Sequence, residues 1–263
     1  MKYSLILFVP IMIFAKVHYA KVEPFDSVVL KSAVSAQVIE VDLEAEGKMI
    51  SDKEVIRLDD HLDQIDLTAS MKSLDMLRTM LEINQEIVSS LGDTLKRQKS
   101  YYERLNRLAT ASKTQKDNAF SGFVSAKNQY LSTKEKIETL KKQILDMEFK
   151  IARLKDSIDK KNIRPKDRYL YKLAVRKGDF VNPGSPLATI QDHTRAKLIL
   201  FLEPSELKDV GKKHVFIDGK KTAYKVDKVW NSADEKFISS YRAEIYIDTP
   251  EGHFSRLVKV ELK

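Results

Sequence analysis

One long stretch without proline most constrains what this chain can fold into. Residues 61–161 contain no proline, and their only glycines are Gly92 and Gly122. Proline breaks helix interiors and glycine weakens them, so such a stretch favours long helices. Apolar residues recur there at intervals of seven: Leu67, Leu74, Leu81, Val88, Leu95 and Tyr102. A sustained heptad repeat is typical of a coiled coil.

The second half of this stretch carries a heptad repeat in a different register. Its members are Phe123, Tyr130, Ile137, Ile144, Ile151 and Ile158. Because the two registers are out of phase, we expect two helices that reverse near residues 109–112, with Ser112 as the N-cap of the second helix. The sequence therefore predicts a long antiparallel α-helical coiled-coil hairpin over residues 61–161. Its two arms are nearly equal, so each buries the apolar stripe of the other.

Two strand patterns with glycine turns flank the helical stretch. Residues 38–43 alternate in polarity before a turn, and residues 169–175 do the same. The turn residues are Gly47, Gly178, Pro183 and Gly184. Glycine accepts a positive φ and proline fixes φ, so these residues suit tight reversals. Because the two patterns are of the same kind, we predict one β-sandwich that the hairpin splits in two.

A β pattern resumes after residue 192. Strands are expected at residues 25–33, 197–202, 214–217, 223–226, 243–247 and 257–262. The pair Asp218 and Gly219 is typical of a hairpin turn, and Pro204 marks the start of a short helix. Several short strands with turn signals predict a small β-barrel. The expected fold class is α+β, with the helical hairpin inserted in the split sandwich and the barrel following.

The N-terminus has the pattern of a secretory signal peptide. Lys2 precedes an apolar run at residues 5–15, and Ala20 offers a small residue at a cleavage point. His18, three residues from the end of that segment, departs from the preference for small residues. An uncleaved inner-membrane anchor is the alternative, although Pro10 interrupts a run shorter than the ~20 residues of a membrane span.

The net charge and the residue types of the sequence exclude several classes of function. The 263 residues include 46 Lys+Arg and 38 Asp+Glu, for a net charge of +8, and no cysteine. Because the cations are interleaved with acids along helices, solvated helix faces explain them better than nucleic-acid binding. The lack of cysteine excludes disulfides and thiolate metal sites. No catalytic or phosphate-binding pattern stands out, so we expect neither an enzyme nor a cofactor.

The reversal of the predicted hairpin is basic. Between Asp93 and Asp117, seven cations face three acids. The cations are Lys96, Arg97, Lys99, Arg104, Arg107, Lys113 and Lys116. A basic tip suits an acidic partner surface, because long-range attraction accelerates docking. Simple solubility of an exposed loop is the alternative interpretation.

The order of these segments resembles the HlyD-like membrane fusion proteins, the periplasmic adaptors of tripartite export systems. Residues 175–187 are the most specific part, since they are similar to the second lipoyl half-motif of that family. The resemblance implies five parts: a signal peptide (1–20), an N-terminal strand and first lipoyl half-motif (21–60), the coiled-coil hairpin (61–161), the second lipoyl half-motif (162–192) and the β-barrel domain (193–263). The split sandwich is thus expected to be lipoyl-like.

The resemblance also implies a function, a location and partners. Such adaptors lie in the periplasm at the inner membrane and form homo-oligomeric rings, trimers or hexamers. They link an inner-membrane transporter of RND or ABC type to a TolC-like outer-membrane channel, for export of small molecules, metal ions or proteins. The hairpin tip docks on the channel, which here implicates Tyr101, Arg104, Leu105, Arg107, Leu108, Ser112, Lys113 and Asp117. Tyr101 stands where the family has an arginine.

Three other functions are open to this sequence. A metal-binding subunit of a cation efflux pump would use histidines, but no pair of them has the spacing of a zinc or copper site. They are His61, His193, His214 and His253. Met71, Met76 and Met80 are better explained by helix packing. A lipoyl or biotin carrier needs a lysine on a tight turn, whereas Lys72 lies in a heptad helix. A coiled-coil dimerisation rod is the third alternative.

Overall fold

The computed structural model describes residues 16–234, 236–250 and 253–263, so the apolar run at residues 5–15 lies outside the described residues. The chain forms two compact units. One contains the described residues up to Arg57 together with Arg164–Lys263, and the other is Leu58–Ile163. The second unit is therefore an insertion in the sequence of the first.

The inserted unit is a pair of antiparallel helices, α1 (His61–Arg107) and α2 (Lys113–Lys161). Every heptad position named above is buried or half-buried, which confirms the predicted hairpin and its seam. Asn84 lies buried in that seam, where its Nδ2 donates to the carbonyl oxygen of Met80 at 2.7 Å. An ion pair of 2.8 Å joins Arg78 of α1 to Glu148 of α2.

Thirteen strands form among the described residues, and all of them lie wholly or mostly in the other unit except Asn162–Ile163, which belongs to the inserted unit. They are β1 (Val17–Lys31), β2 (Ala36–Val41), β3 (Met49–Ser51), β4 (Ile56–Leu58), β5 (Asn162–Ile163), β6 (Lys166–Leu173), β7 (Phe180–Val181), β8 (Pro186–Leu202), β9 (Val215–Ile217), β10 (Lys220–Lys221), β11 (Lys228–Ala233), β12 (Tyr241–Asp248) and β13 (Leu257–Leu262). The larger sheet has the order β10-β9-β13-β1-β8-β12-β11, and β6 also pairs with β8 and with β3. In the smaller sheet, β4 and β7 flank β2.

The C-terminal part of the larger sheet closes on an apolar core. Its fully buried members come from five strands, because alternate residues of each strand point to the same side. They are Ala20, Val22, Ala196, Leu198, Leu200, Leu202, Val215, Ala243, Ile245, Val258 and Val260. Strands therefore form at residues 197–202, 215–217, 243–247 and 257–262, close to where the sequence predicted them.

The two glycine-punctuated segments fold against each other, although the whole helical hairpin separates them in sequence. The amide of Gly47 donates to the carbonyl of Leu170 at 2.8 Å, and the amide of Gly178 donates to Val38 at 2.8 Å. Gly47 has φ 80° and Gly178 has φ 98°, so a side chain at either position would strain the backbone. These cross-bonds place both segments in one unit, as the sequence predicted.

Two expectations near the C-terminus need correction. Residues 223–226 form no strand, because β10 ends at Lys221 and Thr222 bonds back to the carbonyl of Val215 through its amide at 2.9 Å. Tyr224 and Val226 instead pack their side chains on the core. The short helix expected from Pro204 is one 3-10 turn, Pro204–Glu206, and a second such turn follows at Val210–Lys212.

Two strands run through positions where the sequence placed boundaries. β8 continues from Pro186 to Leu202 without a break at residues 192–193. β1 begins at Val17, and its residues Val17–Lys21 pair with β13. Ala20 is 1% exposed in the core, so the cleavage point expected after Ala20 lies inside a paired strand.

Candidate docking site at the hairpin tip

The reversal between the two helices is short and closed by hydrogen bonds. α1 ends at Arg107, and the amide of Leu108 donates to the carbonyl of Leu105 at 3.2 Å. Ser112 is the N-cap of α2, as predicted: its Oγ accepts from the amide of Gln115 at 3.3 Å, and its own amide donates to Gln115 Oε1 at 2.9 Å. This reciprocal capping box satisfies two donors that a helix start leaves unpaired.

Two further interactions fix the tip, and the sequence analysis missed both. Lys116 Nζ donates across the reversal to the carbonyl oxygen of Asn106 at 3.3 Å. Just below the tip, Tyr102 lies against two aromatic rings of α2, with ring centroids 5.3 Å away for Phe120 and 6.0 Å away for Phe123. The sequence placed Tyr102 and Phe123 in the seam. Phe120 precedes Phe123 by three residues, so this spacing could have predicted that Phe120 lies on the same side of α2 and joins the cluster.

The structure brings the residues implicated in docking to this one end of the hairpin, and most are exposed. Tyr101 is 47% exposed and Leu108 is 50% exposed. Leu105 is half-buried because it lies in the seam, and the remaining members are exposed: Arg104, Arg107, Ser112, Lys113 and Asp117. Exposed apolar and cationic side chains therefore alternate over the tip.

The hairpin tip is also basic in the structure. Within the described residues, Arg104, Arg107 and Lys113 form no ion pair, whereas Lys99 lies 3.9 Å from Glu103. Next to them, a shallow hollow on α1 is lined by Lys96, Arg97, Gln98, Ser100, Tyr101 and Arg104. Lys96 in this hollow is paired with Asp93 at 3.5 Å, so attraction to an acidic surface comes mainly from Arg97 and Arg104, which form no ion pair among the described residues.

The base of the hairpin is closed by a second set of polar contacts. Asp63 of α1 accepts hydrogen bonds from two residues of α2, Lys161 at 2.9 Å and Ser157 at 2.9 Å. Partial burial raises the pKa of Asp63, but these hydrogen bonds outweigh it and bring the pKa below its ordinary value. Asp63 therefore stays ionised, and polar contacts hold both ends of the apolar seam.

The remaining candidate residues lie apart from the tip. Gly47, Gly178, Pro183 and Gly184 belong to the strand unit, where the amide of Gly184 donates to Ser32 at 2.8 Å. Lys72 lies within α1 rather than on a tight turn. Among the described residues, no three histidine or acidic side chains form a cluster that would hold a metal ion.

His193 has a packing role in the strand unit. Its ring is stacked between Tyr169 and Phe254, with centroids 4.2 Å away on each side. Nε2 of His193 lies 3.0 Å from Gln191 Oε1. Burial lowers the pKa of His193, and the nearby charge of Asp192 offsets this only in part. The imidazole therefore acts as a neutral aromatic ring between its neighbours.

Comparisons with known proteins agree on the fold. The chain is similar to the crystal structure of MacA from Actinobacillus actinomycetemcomitans, with a TM-score of 0.73 and 14% identity over 94% of this chain and 78% of that one. It is also similar to a MacA-MexA chimera that contains the Pseudomonas aeruginosa MexA α-hairpin domain, with a TM-score of 0.60 and 13% identity over 95% of this chain and 81% of that one.

A third similar structure is the membrane fusion protein Spr0693 from Streptococcus pneumoniae R6, with a TM-score of 0.54 and 12% identity over 95% of this chain and 99% of that one. No family model matches the sequence, and no curated protein matches it. The chain therefore has the fold of membrane fusion proteins, the periplasmic adaptor fold that its sequence resembles. In the part of the chain that the structure describes, no helix is long and apolar enough to span a membrane.

Proposed function

We propose that this protein is a periplasmic adaptor that links an inner-membrane transporter to a TolC-like outer-membrane channel. The observation that carries the proposal is the tip of the hairpin. Among the residues that the structure describes, Arg104, Arg107 and Lys113 form no ion pair, and Tyr101 and Leu108 expose apolar surface beside them. Exposed apolar anchors beside free cations are the chemistry with which a surface binds an acidic partner.

The proposal assigns a role to each part of the chain. The strands on either side of the turns at Gly47, Gly178, Pro183 and Gly184 form a lipoyl-like sandwich, and the sheet after it forms a small β-barrel. The protein lies in the periplasm at the inner membrane and assembles as a ring, a trimer or a hexamer. The transporter, of RND or ABC type, supplies the energy, while the adaptor contributes a rod of fixed length and no catalysis.

Site-specific crosslinking tests the docking. Because the chain contains no cysteine, a single cysteine accepts a photo-crosslinker at one position only. Arg107→Cys places the probe at the tip, and Lys142→Cys places the same probe on an exposed part of α2 far from it. The purified variants are mixed with the purified TolC-like channel of the same organism. We expect the channel to be captured by R107C and not by K142C.

Crosslinking at different salt concentrations distinguishes electrostatic docking from chance contact. Exposed charges are screened beyond about 8 Å at physiological ionic strength, so raising the salt concentration should lower the yield at the tip. Equal capture by both variants, or no capture of the channel, would refute docking through the tip. Capture by R107C of only a second copy of this chain would favour the dimerisation rod.

A further inference from the structure

Three methionine side chains line one groove between the two helices of the hairpin. Met76 and Met80 belong to α1, and Met147 belongs to α2. Met76 and Met80 are about one helical turn apart, so they lie on the same side of α1 with Cβ atoms about 5–6 Å apart. Leu77 of the α1 seam lines the groove as well, so Met147 is level with this part of α1. The three thioethers therefore converge, although Met147 is far from the others in sequence.

Packing inside the hairpin does not account for these methionines, contrary to the interpretation from sequence. Met76 is 64% exposed and Met80 is 44% exposed, while Met147 is half-buried at the edge of the seam. A methionine that fills a gap in a core is covered by its neighbours. The two side chains of α1 instead keep much of their surface uncovered, so a small ligand can reach them from solvent.

The charges along the groove favour a cation. Asp146 of α2 lines the groove, and its carboxylate has no hydrogen bond or ion pair among the described residues. Lys150 also lines the groove, but its Nζ donates to Asp66 Oδ1 at 2.7 Å, so its charge is already paired. An unpaired carboxylate thus lies beside three uncharged thioethers.

Thioether sulfur is selective among metal ions. It is soft and polarisable, so it prefers Cu(I), whereas oxygen ligands suit Mg²⁺, Ca²⁺ and Mn²⁺. It has no proton to lose, unlike a thiol or an imidazolium, so it binds without proton release. The methionine side chain has three rotatable bonds, which lets several sulfur atoms turn toward one ion. Because this set of ligands contains no histidine, the spacing of the histidines could not reveal it.

We propose that Met76, Met80 and Met147 form a binding site for one soft monovalent metal ion, Cu(I) or Ag(I). The three thioethers supply the ligands, and the carboxylate of Asp146 offsets the charge of the ion from nearby. The site is nearer the base of the hairpin than its tip, because Met76 is closer in sequence to His61 than to Arg107. The proposal goes beyond the adaptor function, since ion binding requires neither the transporter nor the channel.

Titration with silver tests the site. Silver nitrate is added to the purified full chain in chloride-free buffer, and calorimetry gives stoichiometry and affinity. We expect one ion per chain. The triple variant M76L/M80L/M147L keeps side-chain volumes, so the hairpin should stay folded, and its affinity should fall about tenfold or more. Met71→Leu is the matched control and should bind as the original chain does, because Met71 is 52% exposed on the same helix and does not line the groove.

Two further measurements locate the ion. With methionine methyl groups labelled by carbon-13, silver should shift the NMR signals of Met76, Met80 and Met147 and leave that of Met71 unchanged. An ion bound to both helices should also stabilise the hairpin, because a ligand of the folded state opposes unfolding. The helical circular dichroism signal of the original chain should therefore unfold at a higher temperature with silver, and that of the triple variant should not.

The other outcomes overturn the proposal. Absence of binding, or equal affinity in the original chain and the triple variant, would show that the groove holds no ion. A shift of the Met71 signal equal to the others would show unselective binding to exposed thioethers. One ion per two chains would place the site between copies. These measurements contain no channel and the crosslinking of Arg107→Cys contains no silver, so failure of the ion site is distinguishable from failure of docking.

Discussion

At the scale of single residues, the structure assigns different tasks to neighbouring side chains of the tip. Ser112 and Gln115 close the start of α2, whereas Arg104 and Arg107 are exposed and free of ion pairs among the described residues. In the strand unit, the ring of His193 packs against the rings of Tyr169 and Phe254. Three substitutions test these assignments.

Replacing Ser112 by alanine should destabilise the tip, because the first turn of α2 loses its cap. The capping box loses the acceptor for the Gln115 amide, which costs about 1 kcal/mol of helix stability. Amide hydrogen exchange in the first turn of α2 should accelerate accordingly. Thr114→Ala, an exposed change in the same turn, is the control, and equal acceleration in both variants would contradict the role of the cap.

Reversing the tip charges should weaken binding to the channel. In Arg104→Glu with Arg107→Glu, attraction to an acidic surface becomes repulsion, and we expect affinity to fall about tenfold or more. Lys127→Glu with Lys142→Glu makes the same change of net charge on exposed positions of α2 away from the tip. Binding measured by surface plasmon resonance should distinguish the two. A similar loss in both would mean that only total charge matters.

Acid should destabilise the strand unit through His193. Because burial lowers the pKa of His193, the folded chain binds fewer protons than the unfolded chain below the ordinary value of about 6.5. Stability from this group is therefore present above that pH and is lost as pH falls. His193→Phe keeps a ring between Tyr169 and Phe254 and should flatten the pH dependence. Urea unfolding at pH 7.5 and 5.5, followed by Trp230 fluorescence, measures the free energy of unfolding of both chains. If the original chain and the variant lose the same free energy between the two pH values, the role of His193 is refuted.

At the scale of elements, the two longest strands hold the strand unit together. β1 pairs with β13 at its start and with β8 along the rest of its length, and β8 also pairs with β6 and β12. Both strands run from the region of the glycine-punctuated segments into the C-terminal core. Backbone hydrogen bonds along β1 and β8 therefore connect these two regions. The start of β1 is also fastened by His18, whose Nε2 lies 2.8 Å from Glu206 Oε1.

Trimming the N-terminus tests how much the start of β1 contributes. A chain that begins at Lys21 loses the pairing of Val17–Ala20 with β13 and the contact between His18 and Glu206. At ~1 kcal/mol per hydrogen bond, its free energy of unfolding should fall by a few kcal/mol relative to a chain that begins at Lys16. Denaturant unfolding compares the two. Equal stability would show that cleavage after Ala20 is harmless to the fold.

At the scale of the whole molecule, the hairpin is an insertion that the strand unit accommodates between neighbouring points. Glu54 and Arg164, which flank the insertion in sequence, form an ion pair of 2.9 Å within the strand unit. The chain therefore leaves and re-enters this unit at almost the same place. Such an insertion adds an element without pulling the strands apart.

Removing the hairpin should leave the strand unit folded. Replacing residues 58–163 by a short Gly/Ser linker joins points that the ion pair already holds together. We expect circular dichroism to lose its helical signal and Trp230 fluorescence to retain one cooperative unfolding transition. Loss of that transition would show that the helices are needed to fold the strands. The variant should also fail to bind the channel, because the tip is gone.

The sequence by itself determined the helical hairpin and its reversal at Ser112, and the likeness of two distant glycine-punctuated segments predicted that they fold together. Heptad spacing, capping chemistry and positive-φ glycines act over a few neighbouring residues, so they can be recognised from the sequence alone. Tertiary structure alone decided that β8 runs unbroken past residue 192 and that residues 223–226 pack by side chains rather than as a strand. These depend on which distant residues meet, and local propensity carries no information about such partners.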